Sequence, residues 1–253
     1  MKDQKIRYYT SFADDFVETR DQNHRVPADY PWAPNRFLSG LVYTAAVLFS
    51  GVYLRLFLHV RYKNRRALKA GRGNGAFIYC NHTQPFGDVF LPALPCLPGR
   101  IYTVVSPANL AIPVIGKILP YLGALPIPDT MQGMRRFTAA MEGRLNEKRY
   151  IAIFPEAHVW EYYTGIRPYG EGAFKYPVKF DRPVYAMTVT YQRRRWGRKP
   201  RATVYIDGPF STDTDLSPKV RAEQLRDRVY DCMKDRSRNS NYDYIRYEPR
   251  REG

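Results

Sequence analysis

An apolar stretch without a single charged residue, from residue 37 to 54, constrains this chain most, because it must be buried inside a protein or in a lipid bilayer. Continued to residue 60, it would form a helix of about 36 Å, longer than the roughly 30 Å hydrocarbon core of a membrane. A basic cluster begins directly after it, at Arg61. The stretch predicts a membrane anchor over 37–60, either one helix or a helical hairpin bent at Gly51. A buried helix of a soluble protein is the alternative.

The charge of the chain narrows the choice of partners. Forty Lys and Arg against 24 Asp and Glu give a formal net charge of +16, which suits a nucleic acid, an anionic membrane or a phosphorylated substrate. Beside the apolar stretch, the basic cluster favours a membrane and places the following domain on its cytoplasmic face. Nucleic-acid binding would leave the apolar stretch unexplained, so no nucleic-acid partner is expected.

The three cysteines do not form a recognisable framework. They are odd in number and have no CxxC spacing: Cys80, Cys96 and Cys232. We expect small buried apolar residues of a reducing compartment rather than disulfides or a zinc cluster.

Downstream of Gly75, short apolar runs alternate with longer helix-like segments. This alternation predicts an α/β domain, a single mixed β-sheet flanked by helices. Strands are predicted at 76–80, 101–105, 123–127, 150–154, 183–191 and 202–206, and helices at 88–95, 107–120 and 130–147. A last helix is predicted from Pro218, capped by Ser217, with Val220, Leu225, Val229 and Met233 along one side.

The chain thus divides into four parts. A polar, aromatic arm over 1–36, expected to be irregular, precedes the anchor over 37–60. The α/β domain spans 61–235, and a polar tail follows over 236–253.

One loop carries the candidate chemistry. His82 follows the first predicted strand of the domain, and Asp88 lies at the far end of the same loop. Open α/β sheets bind ligands at the carboxyl ends of their strands. A neutral imidazole can take a proton from a hydroxyl when a carboxylate holds its other nitrogen. From spacing alone, a catalytic His82 and a structural loop histidine fit equally well. Cys80 would be a possible nucleophile, but at the end of an apolar strand it is expected to face the core.

Four ordered blocks resemble those of the glycerolipid acyltransferases, and within them most closely the 1-acylglycerol-3-phosphate acyltransferases. The blocks are Asn81-His82 followed by Asp88, then Gly-Ala-Leu-Pro-Ile-Pro at 123–128, Phe-Pro-Glu at 154–156, and Arg-Pro-Val-Tyr-Ala-Met-Thr-Val at 182–189. The resemblance extends over residues 60–210, and the order of four blocks is more specific than any one of them.

The resemblance implies a role for each block. His82 would be the general base that activates the acceptor hydroxyl, and Asp88 would orient and stabilise it. Asn81 and Glu156 would bind substrate, with Glu156 near the glycerol portion. The alternative for Glu156 is a carboxylate at a strand end that caps neighbouring amides. Acyl transfer would be direct, with acyl-CoA or acyl carrier protein as co-substrate and no metal or other cofactor.

The first two blocks depart from the family pattern. Five residues instead of the usual four separate His82 from Asp88, and a turn containing Pro85 and Gly87 is expected to absorb the extra one. Asp129 stands where the family has an Arg that meets the acceptor phosphate. The candidate replacements, each of which also fits a solvated surface cation, are Arg135, Arg136, Arg167 and Lys175.

The third block departs as well. Ala157 replaces the usual Gly, and His158-Val159-Trp160 replaces Thr-Arg-Ser, which predicts a reshaped acceptor pocket. His158 and Glu161 have an H-x-x-E spacing, but a third ligand is not evident and no metal site is expected.

A basic run at 193–201 surrounds Trp196 between two predicted strands. It fits a loop that meets anionic headgroups with Trp196 at the interface, and equally a solvated hairpin loop.

These observations predict a membrane-associated enzyme that transfers a fatty acyl group to the hydroxyl of a lysophospholipid such as 1-acylglycerol-3-phosphate. The expected partners are membrane lipid and the acyl donor, and the sequence does not indicate an oligomeric state. The alternative is a catalytically impaired membrane-bound module that binds anionic lipid or a protein partner, should the altered spacing have dismantled the His82–Asp88 pair.

Overall fold

The computed structural model describes residues 5–16, 23–70, 73–84 and 86–250. Within them, the strands are β1 Lys5–Tyr9, β2 Arg61–Lys63, β3 Ala76–Cys80, β4 Ile101–Val105, β5 Ala124–Pro126, β6 Tyr150–Ile153, β7 Val184–Gln192, β8 Arg201–Phe210 and β9 Ile245–Pro249. The α-helices are α1 Arg36–Leu56, α2 Ala67–Ala70, α3 Ala93–Cys96, α4 Ile115–Leu122, α5 Met131–Asn146, α6 Lys175–Phe180 and α7 Pro218–Ser237.

Seven strands form one mixed sheet in the order β2-β8-β7-β3-β6-β4-β5. The run from β7 to β5 is parallel, β8 is antiparallel to β7, and β2 is parallel to β8. Because parallel strands end at the same edge, the loop after β3 lies at the edge where such sheets place ligand sites. The predicted fold class, a mixed sheet flanked by helices, is confirmed.

Alternate side chains of the central strands build two cores, one on each face. Ile78 and Met187 belong to the first core, which α1, α2 and α3 cover. Phe77 and Ile151 belong to the second, which α5, α6 and α7 cover. Since each large apolar side chain buried this way contributes about 1.5–3 kcal/mol, the two cores hold the strands of the active-site edge in register.

Helix α1 contains the uncharged apolar stretch and packs along the first core. Its start is capped by Asn35, whose side chain accepts a hydrogen bond from the Leu38 N–H at 3.0 Å. Its first turn is tied to the domain by Ser39, which donates to the Tyr121 carbonyl at 2.8 Å, and its last turn buries Leu54. The start of α1 therefore rests on α4, and its end rests on the first core of the sheet.

The length of α1 and the position of its two flanks describe how the predicted anchor sits in the fold. With 21 residues, about 31 Å, α1 is long and apolar enough to cross a bilayer. The chain before it packs on α5 through Trp32, and the chain after it enters β2, so both flanks of α1 belong to the same domain. Of the two predicted forms, a helix or a helical hairpin, the described residues contain the single helix, which ends at Leu56 rather than residue 60.

The outer side of α1 is apolar and exposed. Phe37 is 82% exposed and Leu48 is 68% exposed, although both are apolar. The same surface continues onto neighbouring segments; its exposed members are Phe37, Leu38, Leu41, Leu48, Phe49, Val52, Leu56, Phe57, Phe86, Val89, Leu97, Val114, Ile115 and Ile118. We call this set the apolar face. A patch of this kind marks a protein or membrane contact.

The arm and the tail are more ordered than their composition predicts. β1 of the arm pairs in parallel with β9 of the tail, from Lys5 opposite Ile245 to Tyr9 opposite Pro249. The arm was expected to be irregular, and this strand corrects that expectation. The pairing joins segments about 240 residues apart, which local sequence patterns do not reveal.

Proline divides two helices that were predicted to be continuous. The segment 88–95 consists of a 3-10 turn and the short helix α3, which begins after Pro92. The segment 107–120 consists of a 3-10 turn and α4, separated at Ile112 and Pro113. Since a proline disfavours the helical conformation in the residue before it, Ile112 is extended, with ψ 120°.

The last helix, α7, was predicted from the sequence, whereas the edge strand β2 was not. Ser217 caps α7 as predicted, and Leu225 and Val229 are buried. Val220, which was predicted along the same side, is 38% exposed and lies in the first turn of α7. Strand β2 was not predicted, because it is three residues long and has a basic residue at each end.

Candidate active site

A His–Asp pair forms in the loop that follows β3. Nδ1 of His82 lies 2.6 Å from Oδ2 of Asp88. Asp88 is 3% exposed, whereas the His82 side chain retains 20% exposure. When the carboxylate accepts a hydrogen bond from the Nδ1–H group, the lone pair of the neutral imidazole is on Nε2. No described residue forms a hydrogen bond with Nε2. The pair thus has the arrangement of a general base with its orienting carboxylate.

The longer loop is accommodated by a glycine. Gly87 has φ +120°, a conformation that side chains rarely adopt, and a Cβ there would approach the Tyr53 ring to 3.1 Å. Tyr53 in α1 also donates to the Phe86 carbonyl at 3.2 Å. Pro85, the other residue expected to shape this turn, lies outside the described residues. Asp88 is held from the other side by the Gln84 N–H at 3.0 Å, so the extra residue leaves the pair intact.

Asn81 fastens the loop to the sheet. Its side chain donates to the Val189 carbonyl at 3.1 Å and accepts from the Val189 N–H at 2.8 Å. It is 1% exposed. Asn81 was predicted to bind substrate; with both ends of its amide bonded to β7, it anchors the first residue of the loop instead.

A buried hydroxyl network, which the sequence did not predict, joins the loop to β7. The Tyr191 hydroxyl lies 2.7 Å from Oγ1 of Thr83 and accepts from Nε2 of Gln84 at 2.8 Å. All three residues are buried. The signal was present only as a polar Thr-Gln pair directly after His82, without any indication of its partner on β7. The network fixes the backbone between the two members of the His–Asp pair.

Glu156 supports the same loop from beneath. One of its carboxylate oxygens, Oε2, accepts from the His82 backbone N–H at 3.0 Å, and Oε1 accepts from the Arg167 N–H at 2.9 Å. The Arg167 guanidinium lies 3.3 Å from Oε2. Burial raises the pKa of Glu156, while the Arg167 charge and the two N–H donors act in the opposite direction.

This burial changes the interpretation of both residues. Glu156 is 5% exposed and Arg167 is 1% exposed. Arg167 also donates to the carbonyls of His158 and Phe12. Both side chains are buried; the predicted contacts of Glu156 with the glycerol portion and of Arg167 with the phosphate remain predictions. The alternative given for Glu156, a carboxylate that caps amides at a strand end, describes its contacts.

The altered third block retains the backbone of a glycine and adds a buried tryptophan. Ala157 has φ +62°, in the left-handed region where glycine is favoured and other residues are strained by about 1–2 kcal/mol. Trp160 is fully buried, and its backbone N–H donates to the His82 carbonyl at 3.1 Å. Its indole donates to the Asp14 carbonyl of the arm at 2.8 Å. The replacement therefore extends the core under the His82 loop.

The remaining predicted cations lie on the surface. Arg135 is exposed on α5, and Lys175 is exposed at the start of α6, where its Nζ lies 5.2 Å from the Tyr176 ring. Asp129, at the position of the family's arginine, forms an ion pair with Arg25 of the arm at 3.1 Å. Sequence reasoning missed Arg25, because the contact spans more than a hundred residues.

Two further candidates have roles that the contacts define. Cys80 is 2% exposed, and burial raises the pKa of its thiol, which disfavours the thiolate a nucleophile needs. His158 lies 3.1 Å from Asp15, and Glu161 is paired with Arg7. Among the described residues no cluster of three or more His, Cys, Asp or Glu side chains suits a metal ion.

Comparison with known proteins is consistent with this geometry. A family model described as Acyltransferase matches residues 59–190, which include the His82–Asp88 loop and the third block. The crystal structure of the 1-acyl-sn-glycerophosphate (LPA) acyltransferase, PlsC, from Thermotoga maritima is similar over 81% of this chain and 82% of that chain, with a TM-score of 0.56 and 15% sequence identity. None of the curated proteins compared with the chain matches it.

Proposed function

The chain belongs to the acyltransferase family, and we propose that it transfers a fatty acyl group from a thioester donor to the hydroxyl of a lysophospholipid such as 1-acylglycerol-3-phosphate. The observation that carries this proposal is the 2.6 Å contact between His82 and Asp88, which leaves Nε2 of His82 without a hydrogen-bond partner among the described residues. The altered spacing has not dismantled the pair, which favours an enzyme over a catalytically impaired module.

The proposed reaction is a direct transfer. Nε2 of His82 takes the proton of the acceptor hydroxyl. At the same time, the hydroxyl oxygen attacks the thioester carbonyl and forms the new C–O bond. Asp88 stabilises the imidazolium that results, through Nδ1. The tetrahedral intermediate then expels the thiolate as the C–S bond breaks, and the thiolate receives the proton from Nε2. His82 returns to its starting form, so the chemistry calls for no resident cofactor.

The donor is an acyl thioester, acyl-CoA or acyl carrier protein. Both present the same carbonyl to the acceptor oxygen, and the His82–Asp88 pair would act on either. The burial of Cys80 argues against an acyl-enzyme intermediate at this residue. A thiol with a raised pKa in the core is a poor nucleophile.

The acceptor is delivered by a membrane in this proposal. The apolar face carries Phe86 and Val89 on either side of Gly87 and Asp88, so its border is the active-site loop itself. We place this face on the bilayer, with α1 lying along the surface because both of its ends are held by the same domain. The basic residues from Arg61 onward favour the cytoplasmic leaflet.

For the acceptor phosphate we propose a cation near the end of β5. Arg25 is held beside Asp129 at 3.1 Å, and its side chain is 81% exposed. It would place a guanidinium close to the position from which the family's arginine is missing. Arg135 on α5 is the second candidate, whereas Arg167 is committed to Glu156 and Lys175 lies in the segment that covers the second core.

The test is acyl transfer by the detergent-purified chain. Isotope-labelled acyl-CoA and acyl carrier protein are each offered with 1-acylglycerol-3-phosphate, a lysophosphatidylcholine and a monoacylglycerol, and the products are identified by mass spectrometry. We expect labelled diacylglycerol-3-phosphate from wild type and none from His82→Ala. Transfer at equal rates by both proteins, or no transfer with any pair, would contradict the proposal.

A further inference from the structure

A strongly basic cavity opens between the end of α1 and the hairpin that joins β7 to β8. It has a volume of about 690 Å³. Six of its nine lining residues are arginines: it is lined by Arg55, His59, Val60, Arg61, Arg193, Arg194, Arg195, Trp196 and Arg201. None of these residues belongs to the His82–Asp88 loop, so the cavity is a separate site.

Among the described residues, no carboxylate is paired with the arginines of this cavity. Six arginines line it without a carboxylate among the lining residues. None of the six forms an ion pair with another described residue, although arginines elsewhere do so repeatedly. Like charges held together in this way repel one another and lower the stability of the folded state unless an anion is bound. Planar guanidinium groups are suited to the oxygens of a phosphate.

An apolar groove adjoins the cavity. The groove has a volume of about 680 Å³, and Arg55 and Val60 line both spaces. Its remaining wall is mainly aliphatic and comes from α1 and α3; it includes Val47, Leu48, Gly51, Val52, Leu54, Leu56, Tyr62, Leu94 and Leu97. Part of this wall belongs to the apolar face. A cationic site beside an apolar groove matches a molecule with an anionic head and a hydrocarbon chain.

The hairpin adds an interfacial aromatic residue. Trp196 is 80% exposed at the rim of the cavity, beside the Arg195 guanidinium at 5.9 Å. Exposed tryptophans next to basic residues are typical of the headgroup region of a membrane. A nucleic acid or an acidic protein would use the charge but would leave the groove empty.

We propose that this cavity binds the headgroup phosphate of an acidic phospholipid, whose acyl chain lies in the groove along α1. The bound lipid is neither the acceptor nor the product at His82, so the inference goes beyond the proposed function. It gives the enzyme a preference for anionic membranes and holds the end of α1, and with it the Tyr53 contact to the active-site loop, at the headgroup level.

The test measures binding of the full chain to vesicles of phosphatidylcholine alone and of phosphatidylcholine with 30% phosphatidylglycerol, by flotation. The variant Arg194→Glu with Arg195→Glu reverses two charges in the cavity. Its matched control is Arg198→Glu with Lys199→Glu, the same change in net charge in the same hairpin but outside the cavity. Acyl transfer in uncharged detergent micelles, for which the cavity is not needed, reports whether each variant is folded and active.

We expect the cavity variant to lose at least about 100-fold in affinity for the anionic vesicles, because hydrogen bonds from two arginines to the phosphate are replaced by repulsion. The control should lose less than about 10-fold, since its charges are solvated and screened. Both should keep wild-type transfer in micelles. Equal losses in the two variants would overturn the proposal and indicate a diffuse charge effect.

Competition distinguishes a lipid from a soluble phosphate. At constant ionic strength, inorganic phosphate and glycerophosphoglycerol, the headgroup without chains, should leave vesicle binding unchanged at millimolar concentration. Displacement of the vesicles by either one would show that the cavity takes a free phosphate and that the groove is not used. This readout does not depend on catalysis, so it can fail while the acyl-transfer proposal stands.

Discussion

Nδ1 of His82 lies 2.6 Å from Oδ2 of Asp88, although the loop between them is one residue longer than the family pattern. The distance is maintained because Gly87 turns with φ +120° and the Gln84 N–H holds the same carboxylate oxygen. The sequence spacing of a catalytic pair is therefore a weaker constraint than the geometry of the turn that closes it. The contacts that surround this pair lead to the following predictions.

Arg167→Met is expected to destabilise the protein by about 3–5 kcal/mol, because it leaves the buried Glu156 carboxylate without its ion pair. Urea unfolding followed by tryptophan fluorescence measures this. Arg135→Met, the same change at an exposed position on α5, should alter stability by less than about 0.5 kcal/mol. If Arg167→Met keeps its stability and only raises KM, then Arg167 contacts substrate and its structural assignment is wrong.

Tyr191→Phe should lower kcat by about tenfold with little change in KM, since the hydroxyl that bonds Thr83 and Gln84 keeps the His82 loop in place. A loss of about 1–3 kcal/mol in stability should accompany it. Tyr185→Phe is the control: this tyrosine is also buried on β7, but its hydroxyl has no partner among the described residues. Identical behaviour of the two variants would show that the network does not position the loop.

Cys80→Ala should retain acyl transfer within about twofold and lose about 1 kcal/mol in stability, as expected for a small buried side chain. The wild-type enzyme should likewise resist iodoacetamide, because burial raises the pKa of this thiol. Intact-protein mass spectrometry after mixing with acyl-CoA tests for a covalent intermediate. A thioester adduct at Cys80 would establish a covalent route and contradict direct transfer.

Arg25→Gln should raise KM for 1-acylglycerol-3-phosphate by about tenfold, the effect of losing a charge-assisted hydrogen bond, and leave KM for monoacylglycerol unchanged. Adding Asp129→Arg to this variant should restore the low KM, because it returns a cation to the position that Arg25 approaches. Arg135→Gln is measured in parallel. A selective effect of Arg135→Gln alone would move the phosphate contact to α5 and contradict the role of Arg25.

What could be predicted from the sequence was local. The alternation of strands and helices predicted the mixed sheet, and Ser217 with Pro218 marked the start of α7. His82 and Asp88 lie in one loop, so their contact depended on a single turn. Features that depend on distant segments were missed, because neither periodicity nor motif spacing records them: β1 against β9, the Tyr191 network and the pair of Arg25 with Asp129.

Burial bears on the substrate-binding roles that the motifs predict, which remain predictions. Glu156 and Arg167 carry the residue types expected of a substrate site, yet their charges satisfy each other and the backbone of His82 inside the protein. Both ends of the Asn81 side-chain amide likewise form hydrogen bonds with β7. A block that matches a family pattern can thus hold the backbone of the His82–Asp88 loop through buried contacts.

The central claim is that His82 and Asp88 act as one catalytic unit, and kcat in a double-mutant cycle tests it most directly. Transfer to 1-acylglycerol-3-phosphate is measured for wild type, His82→Ala, Asp88→Asn and the double variant, with circular dichroism to confirm folding. We predict a loss of at least about 100-fold for His82→Ala and no further loss in the double variant, since residues that act as a unit are not additive. A His82→Ala enzyme with kcat within about twofold of wild type would contradict the claim.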